Sequence, residues 1–410
     1  MKNHPLLLTR AEALQYTTFL SPRADDFCSA DLPSNAAGWN TDLRLSIALR
    51  HRLVSEHEVM QSTAGEKIFG TCNREAMLER IYWRGYLESH PKIWQDFQTA
   101  REAGKNSSEY QAVVEGRTGV SLMDFFAADL VETGCLPKQA RVWFASFWIH
   151  ACGLRWELGA DFMLQHMLDG DPAEEVLTWR WVAGLHEDSP PFLLSLKRLL
   201  RECPDELLAR HQQGLEVFNH VRPSHVEKEG SLHTGFPVIR TSVRNSDGRI
   251  GIWLPENDLS PETSPLKNIN ACAVSLSRTN DMWITQRYSK GRRRAVNFAL
   301  RDAAVRANQW WETPTQILSG GNQVEKVIAW AQSRRLDKVA FLHTFVGPLA
   351  ELSDQVERRL RTSKIECRRL IRPEDLLLML PASGSFGEFR RTVGPLIAGG
   401  VAKASIASQT

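Results

Sequence analysis

The spacing of apolar residues changes once along this chain of 410 residues, and that change limits the folds it can adopt. Through about residue 200 the apolar positions recur with the helical period, and turns carrying Gly or Pro separate one helix from the next. From residue 271 short apolar strands alternate with helices, which is typical of a parallel sheet with helical crossovers. We therefore predict a multidomain chain of the α and α/β classes.

A single hydrophobic core rarely organises so long a chain, so we expect two domains. We predict a helical domain over residues 1–205, a linker with extended segments over 206–270, and a small α/β domain over 271–410. Within the linker, Phe236–Val243 and Arg249–Leu254 are rich in β-branched residues and should be extended.

Local patterns predict the individual elements. One helix is expected to follow Thr9 and to end at Leu20, and the others are expected over Cys72–His90, Ser121–Thr133, Lys138–Cys152, Leu158–Leu168, Pro172–Leu185, Arg292–Gln309, Gln323–Ser333, Pro348–Leu360 and Phe386–Leu396. Strands are expected over Ala271–Leu276, Lys338–Leu342 and Lys364–Leu370.

Composition excludes several classes of protein. A mean hydropathy of −0.31 with 42% hydrophobic residues is typical of a globular chain, and no apolar run approaches the ~18 residues that span a membrane. The N-terminus lacks a signal-peptide core, so we expect a cytoplasmic location without membrane contact. The seven cysteines are odd in number and form no CxxC pair, so we predict neither a disulfide framework nor a metal site.

Charge and tryptophan are both unevenly distributed. Residues 1–200 hold 20 Lys and Arg against 26 Asp and Glu, a net charge of −6, while residues 201–410 hold 30 against 22, a net charge of +8. Eight of the 13 tryptophans lie in the first half. The first half is therefore both acidic and rich in a redox-active aromatic side chain.

The densest stretch runs from Arg141 to Leu185. Asp171 followed by Pro172 predicts a helix start, because Asp caps the first N–H groups and Pro suits the first helical position. Asp169 is not needed for that start, and burying it unpaired would be costly. We predict that Arg141 is its partner.

This stretch resembles the flavin-binding domain of the photolyase and cryptochrome family. Arg141, Trp156, Asp169-Gly170-Asp171 and Trp179-Arg180-Trp181 match the order and spacing of family motifs. The likeness extends upstream to Leu45-Ser46 and Tyr82–Gly85, and downstream to a bacterial branch in which a small, Rossmann-like α/β domain follows the flavin domain.

The resemblance implies an FAD cofactor and assigns residues to it. Asp169, Asp171 and Arg141 would contact FAD. The pyrophosphate loop corresponds to Asp42-Leu43-Arg44-Leu45-Ser46, so Asp42, Arg44 and Ser46 would bind the cofactor, although an acid at Asp42 would repel a phosphate.

The family also reduces its photoexcited flavin by electron hopping along tryptophans. Trp179 and Trp156 match the inner two members. The outer member has no Trp at the matching spacing: Trp94 is the nearest upstream, and Trp143 or Trp148 could substitute only if packing brings one within reach of Trp156. Glu175 stands at the position that faces flavin N5, where a neutral carboxyl group could relay a proton.

Two functions follow from the resemblance. The first is blue-light-driven repair of pyrimidine dimers in UV-damaged DNA, which makes the chain a deoxyribodipyrimidine photolyase-like carbon–carbon lyase. The alternative is a cryptochrome-like photoreceptor or a degenerate flavin-binding regulator that does not repair. The acidic first half favours the alternative, because DNA binding needs a basic surface.

Structural explanations compete with each site assignment. The tryptophans could instead be ordinary core aromatics, and the Arg141–Asp169 pair could be a structural ion pair. Asp171 could be a plain helix cap, and Glu175 and Ser46 could be surface groups. The basic run Ser289–Arg294 is either a nucleic-acid contact or a solvated helix start.

Overall fold

The computed structural model describes residues 6–20, 41–62, 69–186, 189–224, 248–279 and 288–398, together with the single residues Val226 and Gly235. The predicted extended segment Phe236–Val243 lies outside these residues, as do the side chains of Asp42 and Arg44.

The first part of the chain is helical, as its periodicity predicts. Its helices are α1 (Arg10–Leu20), α2 (Thr41–Arg50), α3 (Glu56–Ser62), α4 (Phe69–Ser89), α5 (Pro91–Ala100), α6 (Ser108–Val114), α7 (Ser121–Thr133), α8 (Lys138–Ser146), α9 (Trp156–His166), α10 (Pro172–Val182), α11 (Leu196–Glu202) and α12 (Asp205–Arg210). A π-helical turn, Phe147–Ala151, continues α8.

Local capping chemistry sets several helix ends. Ser55 Oγ accepts the Glu58 N–H at 3.2 Å, and the Glu58 carboxylate accepts the Ser55 N–H at 2.9 Å, which forms a capping box ahead of α3. Asp171 caps α10 by accepting the Ala173 N–H at 3.0 Å, as the sequence predicted. Gly134 adopts a φ of 71° and ends α7 at the predicted residue.

The second part contains a five-stranded parallel sheet. Its strands are β1 (Ile250–Pro255), β2 (Ala273–Ser277), β3 (Thr315–Leu318), β4 (Lys338–Leu342) and β5 (Glu366–Leu370), in the order β3-β2-β1-β4-β5. Gly251 of β1 stands opposite Ala273 on one side and Val339 on the other. The sequence did not predict β3, because this short edge strand shows little alternation of apolar and polar residues.

The sheet begins before the boundary that the sequence predicted at residue 271. Strand β1 lies within 206–270, which we expected to be linker, yet it is the central strand and pairs with both β2 and β4. Its extended conformation was predicted, but its place in the sheet depends on partners 20 and more residues away. The residues at which the helical part and the α/β part begin and end remain predictions.

Helices cover both faces of the sheet. They are α13 (Lys290–Trp311), α14 (Gln323–Ser333), α15 (Pro348–Thr362), α16 (Pro373–Met379) and α17 (Phe386–Ala398). Alternate β1 side chains point to opposite faces: Trp253 joins the core under α14 and α15, whereas Ile252 and Leu254 join a core continuous with the helical part. The two parts therefore share one apolar core.

Buried charges also join the two parts. Arg52, just after α2, donates to Asp375 at 2.7 Å and lies 3.4 Å from Asp258, whose two oxygens also accept from Arg372 at 2.7 Å. Glu88 of α4 contacts His343 Nε2 at 2.9 Å, at the carboxyl end of β4. The edge of the sheet where ligands usually bind is thus packed against the helical part.

No helix in the described part of the chain is long and apolar enough to span a membrane.

Candidate functional site

A cavity of about 560 Å³ lies inside the helical part, between α2, α4, α8 and α10. Its volume is within the usual range for small-molecule sites, about 300–1,000 Å³. Apolar and aromatic side chains such as Leu45, Met77, Trp83 and Trp181 form much of its wall. Its charged lining consists of four cations (Arg80, Lys138, Arg141 and Arg198) and two carboxylates (Glu79 and Glu174). The cavity therefore suits an anionic ligand with a flat ring system.

Arg141 lines the cavity and pairs with Asp169, as the sequence predicted. Arg141 Nη2 donates to both Asp169 oxygens, at 3.0 and 2.8 Å, and both side chains are buried. Burial alone would raise the pKa of Asp169, but the Arg141 guanidinium and a hydrogen bond from Ser46 hold this pKa below its usual value. Asp169 is therefore a carboxylate at neutral pH.

The turn formed by Asp169, Gly170 and Asp171 is held by arginines from four elements. Besides Arg141 of α8, Arg84 of α4 donates to Asp171 at 3.0 Å. The Gly170 carbonyl accepts from Arg50 at 2.9 Å and from Arg292 of α13 at 2.8 Å. The same contacts place Arg292, from the basic run Ser289–Arg294, in the core rather than on a solvated surface. Sequence reasoning missed Arg50, Arg84 and Arg292 because the three residues lie 87–122 positions from their partners.

Asp171 and Ser46 have different surroundings. Asp171 caps α10, lines a second, small cavity against the α/β part, and is held in the ionised form because nearby arginines overcome its burial and lower its pKa. Ser46 lines the main cavity, where its Oγ accepts from Arg80 Nη1 at 3.2 Å. The sequence assigned Arg80 no contact to a cofactor, but the structure puts both Arg80 and Trp83 on the cavity wall.

Glu175 is a buried carboxyl group beside Arg141. Its Oε1 lies 3.6 Å from Arg141 Nη1 and has no hydrogen-bond partner among the described residues. Burial raises the pKa of Glu175 to about 8; Arg141 opposes the rise, while Glu174 and Asp169 add to it. Glu175 is therefore mostly protonated at neutral pH and holds a proton next to the wall of the cavity.

The raised pKa of Glu175 should make the protein less stable as the pH rises. The folded state binds a proton that the unfolded state releases above about pH 4.5, so stability falls between pH 4.5 and about pH 8. We expect Glu175→Gln to match the wild type near pH 5 and to exceed it by on the order of 2–4 kcal/mol at pH 8.5.

Urea unfolding at the two pH values tests this expectation. The exposed pair Glu115–Arg117 offers a control, since Glu115→Gln should follow the wild type at both pH values. A constant difference between Glu175→Gln and the wild type across this range would contradict a proton held by Glu175.

Trp179 is buried behind the cavity wall. Its ring centre lies 5.8 Å from that of Trp148, with the two planes perpendicular. It also lies directly against Gly159, where an added Cβ would come within 2.1 Å of Trp179 Cζ3. Gly159 is therefore required for the packing of Trp179.

Trp156 lies in a separate aromatic group. Its ring centre is 6.0 Å from Phe97, whose ring in turn lies 5.2 Å from that of Trp94. The Arg180 guanidinium is 5.6 Å from the Trp156 ring centre, and Trp94 donates its indole N–H to Glu351 of α15 at 2.8 Å. Trp148 thus contacts Trp179, and Trp94 is linked to Trp156 through Phe97.

The structure brings together some of the predicted site residues. Ser46 and Arg141 line the main cavity, and Asp169 and Glu175 contact Arg141 from behind. Asp171, Trp156 and Trp179 lie away from the lining. Among the described residues, no three His, Cys, Asp or Glu side chains are placed to hold a metal ion.

Comparison with known proteins identifies the helical part. Residues 73–202, which run from within α4 to the end of α11, match the family model for the FAD-binding domain of DNA photolyase. Deoxyribodipyrimidine photo-lyase from Streptomyces griseus is 32% identical over 154 residues, which are 36% of this chain and 33% of that protein. The Escherichia coli K12 enzyme is 26% identical over 150 residues, 35% of this chain and 30% of its own length.

A solved class III photolyase from Agrobacterium tumefaciens is also similar, with 22% identity and a TM-score of 0.39, covering 49% of this chain and 44% of that one. The chain spans about a third of the length of these curated relatives, within the helical part. The predicted resemblance to the photolyase and cryptochrome family is confirmed.

Proposed function

We propose that this member of the photolyase and cryptochrome family holds FAD in the main cavity and uses blue light to drive electron transfer, repairing pyrimidine dimers in DNA as a photolyase-like lyase. The observation that carries the proposal is the Arg141–Asp169 pair on the wall of a 560 Å³ cavity, within the segment that matches the FAD-binding model. The apolar wall suits the flavin ring, and the excess of cations suits its phosphates.

The side chains around the cavity have distinct roles in this proposal. When bound, FAD supplies the blue-light absorption and the one-electron chemistry. Arg141 places a positive charge beside the ring, and Asp169 fixes its orientation. Glu175 holds a proton near the ring at neutral pH. Asp42, Arg44, Ser46 and Asp171 complete the proposed cofactor contacts.

The proposed electron path starts at Trp179. The ring contact with Trp148 supports a step to Trp148, while the family pattern favours a step to Trp156. From Trp156, the stacked Phe97 leads towards Trp94, where the Glu351 carboxylate accepts the indole N–H. Either route runs through buried aromatic rings, which keeps the hopping side chains away from water.

A photoreceptor that does not repair DNA is the second candidate. Phe386 of α17 lines the main cavity, and Tyr82 on α4 donates its hydroxyl to the Gly384 carbonyl at 2.9 Å. The C-terminal helix thus covers part of the cavity wall, where a DNA substrate would have to approach. The net charge of −6 over residues 1–200 points in the same direction.

The absorption spectrum of the purified full chain tests the proposal. We expect the near-ultraviolet and blue bands of flavin, and release of free FAD on heating. A colourless protein that releases no flavin, and that takes up none when FAD is added, would reject both candidate functions. If flavin is present, blue light and DNA containing pyrimidine dimers separate them: loss of dimers identifies a repair enzyme, and unchanged dimers identify a photoreceptor.

The fold of the α/β part, the domain division, the location and the partner of the chain belong to the same proposal. The strand order β3-β2-β1-β4-β5 supports a Rossmann-like α/β part, since that fold has the same order. We propose two domains that meet between residues 205 and 250, a cytoplasmic location and damaged DNA as the partner.

A further inference from the structure

The second, smaller cavity lies where the helical part meets the segment that follows β4. Its volume is about 30 Å³, which is room for a monatomic ion or about two waters and too little for an organic cofactor. The charged side chains in its wall are Arg50, Arg52, Arg84 and Asp171. The wall thus carries three cations and one carboxylate.

Three of these four charged groups are already paired. Arg52 donates to Asp375 at 2.7 Å. Arg84 donates to Glu56 at 2.6 Å and to Asp171 at 3.0 Å. The other oxygen of Asp171 caps α10, so both of its oxygens are bonded. The negative charge in the wall is therefore matched by Arg84.

Arg50 of α2 is the cation that remains. It is 5% exposed, and its hydrogen bond to the described residues runs from Nε to the Gly170 carbonyl at 2.9 Å. Asp171 and, more weakly, Glu256 attract it, but in the described part of the chain no carboxylate forms an ion pair with it. Its Nη1 and Nη2 are not closed off from accessible space, and the cavity is the space that this side chain lines.

The cost of burying Arg50 is visible in its acidity. The pKa values of Arg52 and Arg141 lie above the usual value, because carboxylates in contact with them outweigh burial. The pKa of Arg50 lies below it, because burial, which Asp171 opposes and Arg292 reinforces, dominates. An anion in contact with the Arg50 guanidinium would remove this cost.

The N-terminal ends of α10 and α15 meet at the same cavity. Pro172 begins α10 and Pro348 begins α15, and both residues line the wall. Gly347 permits this approach, since its φ is 145° and an added Cβ would come within 2.8 Å of Pro172 Cγ. Asp171 caps α10, whereas Gly347, at the N-cap of α15, has no side chain to do so. The positive end of the α15 dipole thus adds to the attraction for an anion.

We infer that the second cavity binds a chloride-sized inorganic anion, held by Arg50 and by the N-terminal end of α15. Arg50 belongs to the helical part and α15 follows β4, so the ion links the two parts of the chain. The second cavity shares no lining residue with the main cavity. The inference therefore does not depend on the binding of FAD.

Thermal unfolding of the full chain in two sodium salts tests the inference. Gluconate is an organic anion too large for the cavity, and a constant ionic strength keeps the screening equal. Replacing gluconate by chloride should raise the Tm of the wild type by about 2–3 °C, because an ion that binds only the folded state stabilises it. In Arg50→Gln the same exchange should shift the Tm by less than about 1 °C.

Arg359→Gln is the matched control, because it removes the same charge from an exposed arginine. It should keep the wild-type response to chloride, which accounts for general effects of the two salts on unfolding. Equal responses in Arg50→Gln and the wild type would overturn the inference, as would a wild-type Tm that is the same in both salts.

Bromide can locate the ion directly. We expect an anomalous scattering peak in the second cavity of wild-type crystals soaked in sodium bromide, and none there in Arg50→Gln. This measurement decides on the wild type alone if Arg50→Gln folds poorly after losing its bond to Gly170. A cavity that holds only water in the soaked wild-type crystals would overturn the inference.

Discussion

Replacing Arg141 by methionine should lower the free energy of unfolding by about 3–5 kcal/mol, because it leaves the Asp169 carboxylate buried without its partner. Asp169 is 1% exposed, so water cannot replace the two hydrogen bonds from Arg141. Methionine fills much of the same volume, so the effect reports the lost charge rather than a cavity. Urea unfolding followed by tryptophan fluorescence measures it.

A second variant shows whether the loss comes from the unpaired charge. Arg141→Met/Asp169→Leu removes both charges and should recover part of the stability. The exposed pair Arg117–Glu115 is the matched surface control, and Arg117→Gln should cost less than about 1 kcal/mol. A loss below 1 kcal/mol in Arg141→Met would mean that the hydrogen bond from Ser46, or water, stabilises the Asp169 carboxylate without Arg141.

Replacing Trp179 by phenylalanine should stop the light-driven reduction of bound flavin. Phenylalanine keeps an aromatic ring against Gly159 and Trp148, but it is much harder to oxidise than tryptophan and cannot serve as the electron donor. The measurement is the loss of the blue flavin band under blue light in the presence of an external reductant. We expect the variant to stay at the level of an unilluminated sample while the wild type is reduced.

Trp253→Phe is the control for this measurement. Trp253 is fully buried like Trp179, but it lies in the core under α14 and α15. Its replacement should leave photoreduction unchanged. Equal photoreduction in Trp179→Phe and the wild type would exclude Trp179 from the path.

The same assay can identify the second donor. If the ring contact at 5.8 Å carries the electron, Trp148→Phe should slow photoreduction and Trp156→Phe should have little effect. The reverse result would support the route through Trp156, Phe97 and Trp94.

The sequence predicted most helices because their signals are local. The cap of α10 by Asp171 and the end of α7 at Gly134 involve atoms a few residues apart, so each segment carries its own evidence. The α/β alternation was equally readable, with β4 predicted to the residue. Strand β1 was predicted as extended but placed outside the sheet, because pairing joins segments that are distant in sequence.

In the candidate site, too, the sequence predicted some features and only the packing revealed others. The partnership of Arg141 and Asp169 followed from the cost of burying an unpaired carboxylate, and the structure contains it. The position of Glu175 in the sequence did not reveal its pKa of about 8, which comes from burial among residues of several helices. Trp148 was a candidate for the outer tryptophan beside Trp156, and packing instead brings it against Trp179.

The sequence by itself determined that the chain is helical first and α/β afterwards, that α10 starts at Asp171, and that Asp169 needs a cation. The tertiary structure alone decided that Arg50, Arg84 and Arg292 meet at the Asp169–Asp171 turn, and that Arg80 lies in the cavity wall bonded to Ser46 and Glu174. The reason is physical: caps and periodicity act within a few residues, whereas burial and charge pairing depend on which distant segments pack together.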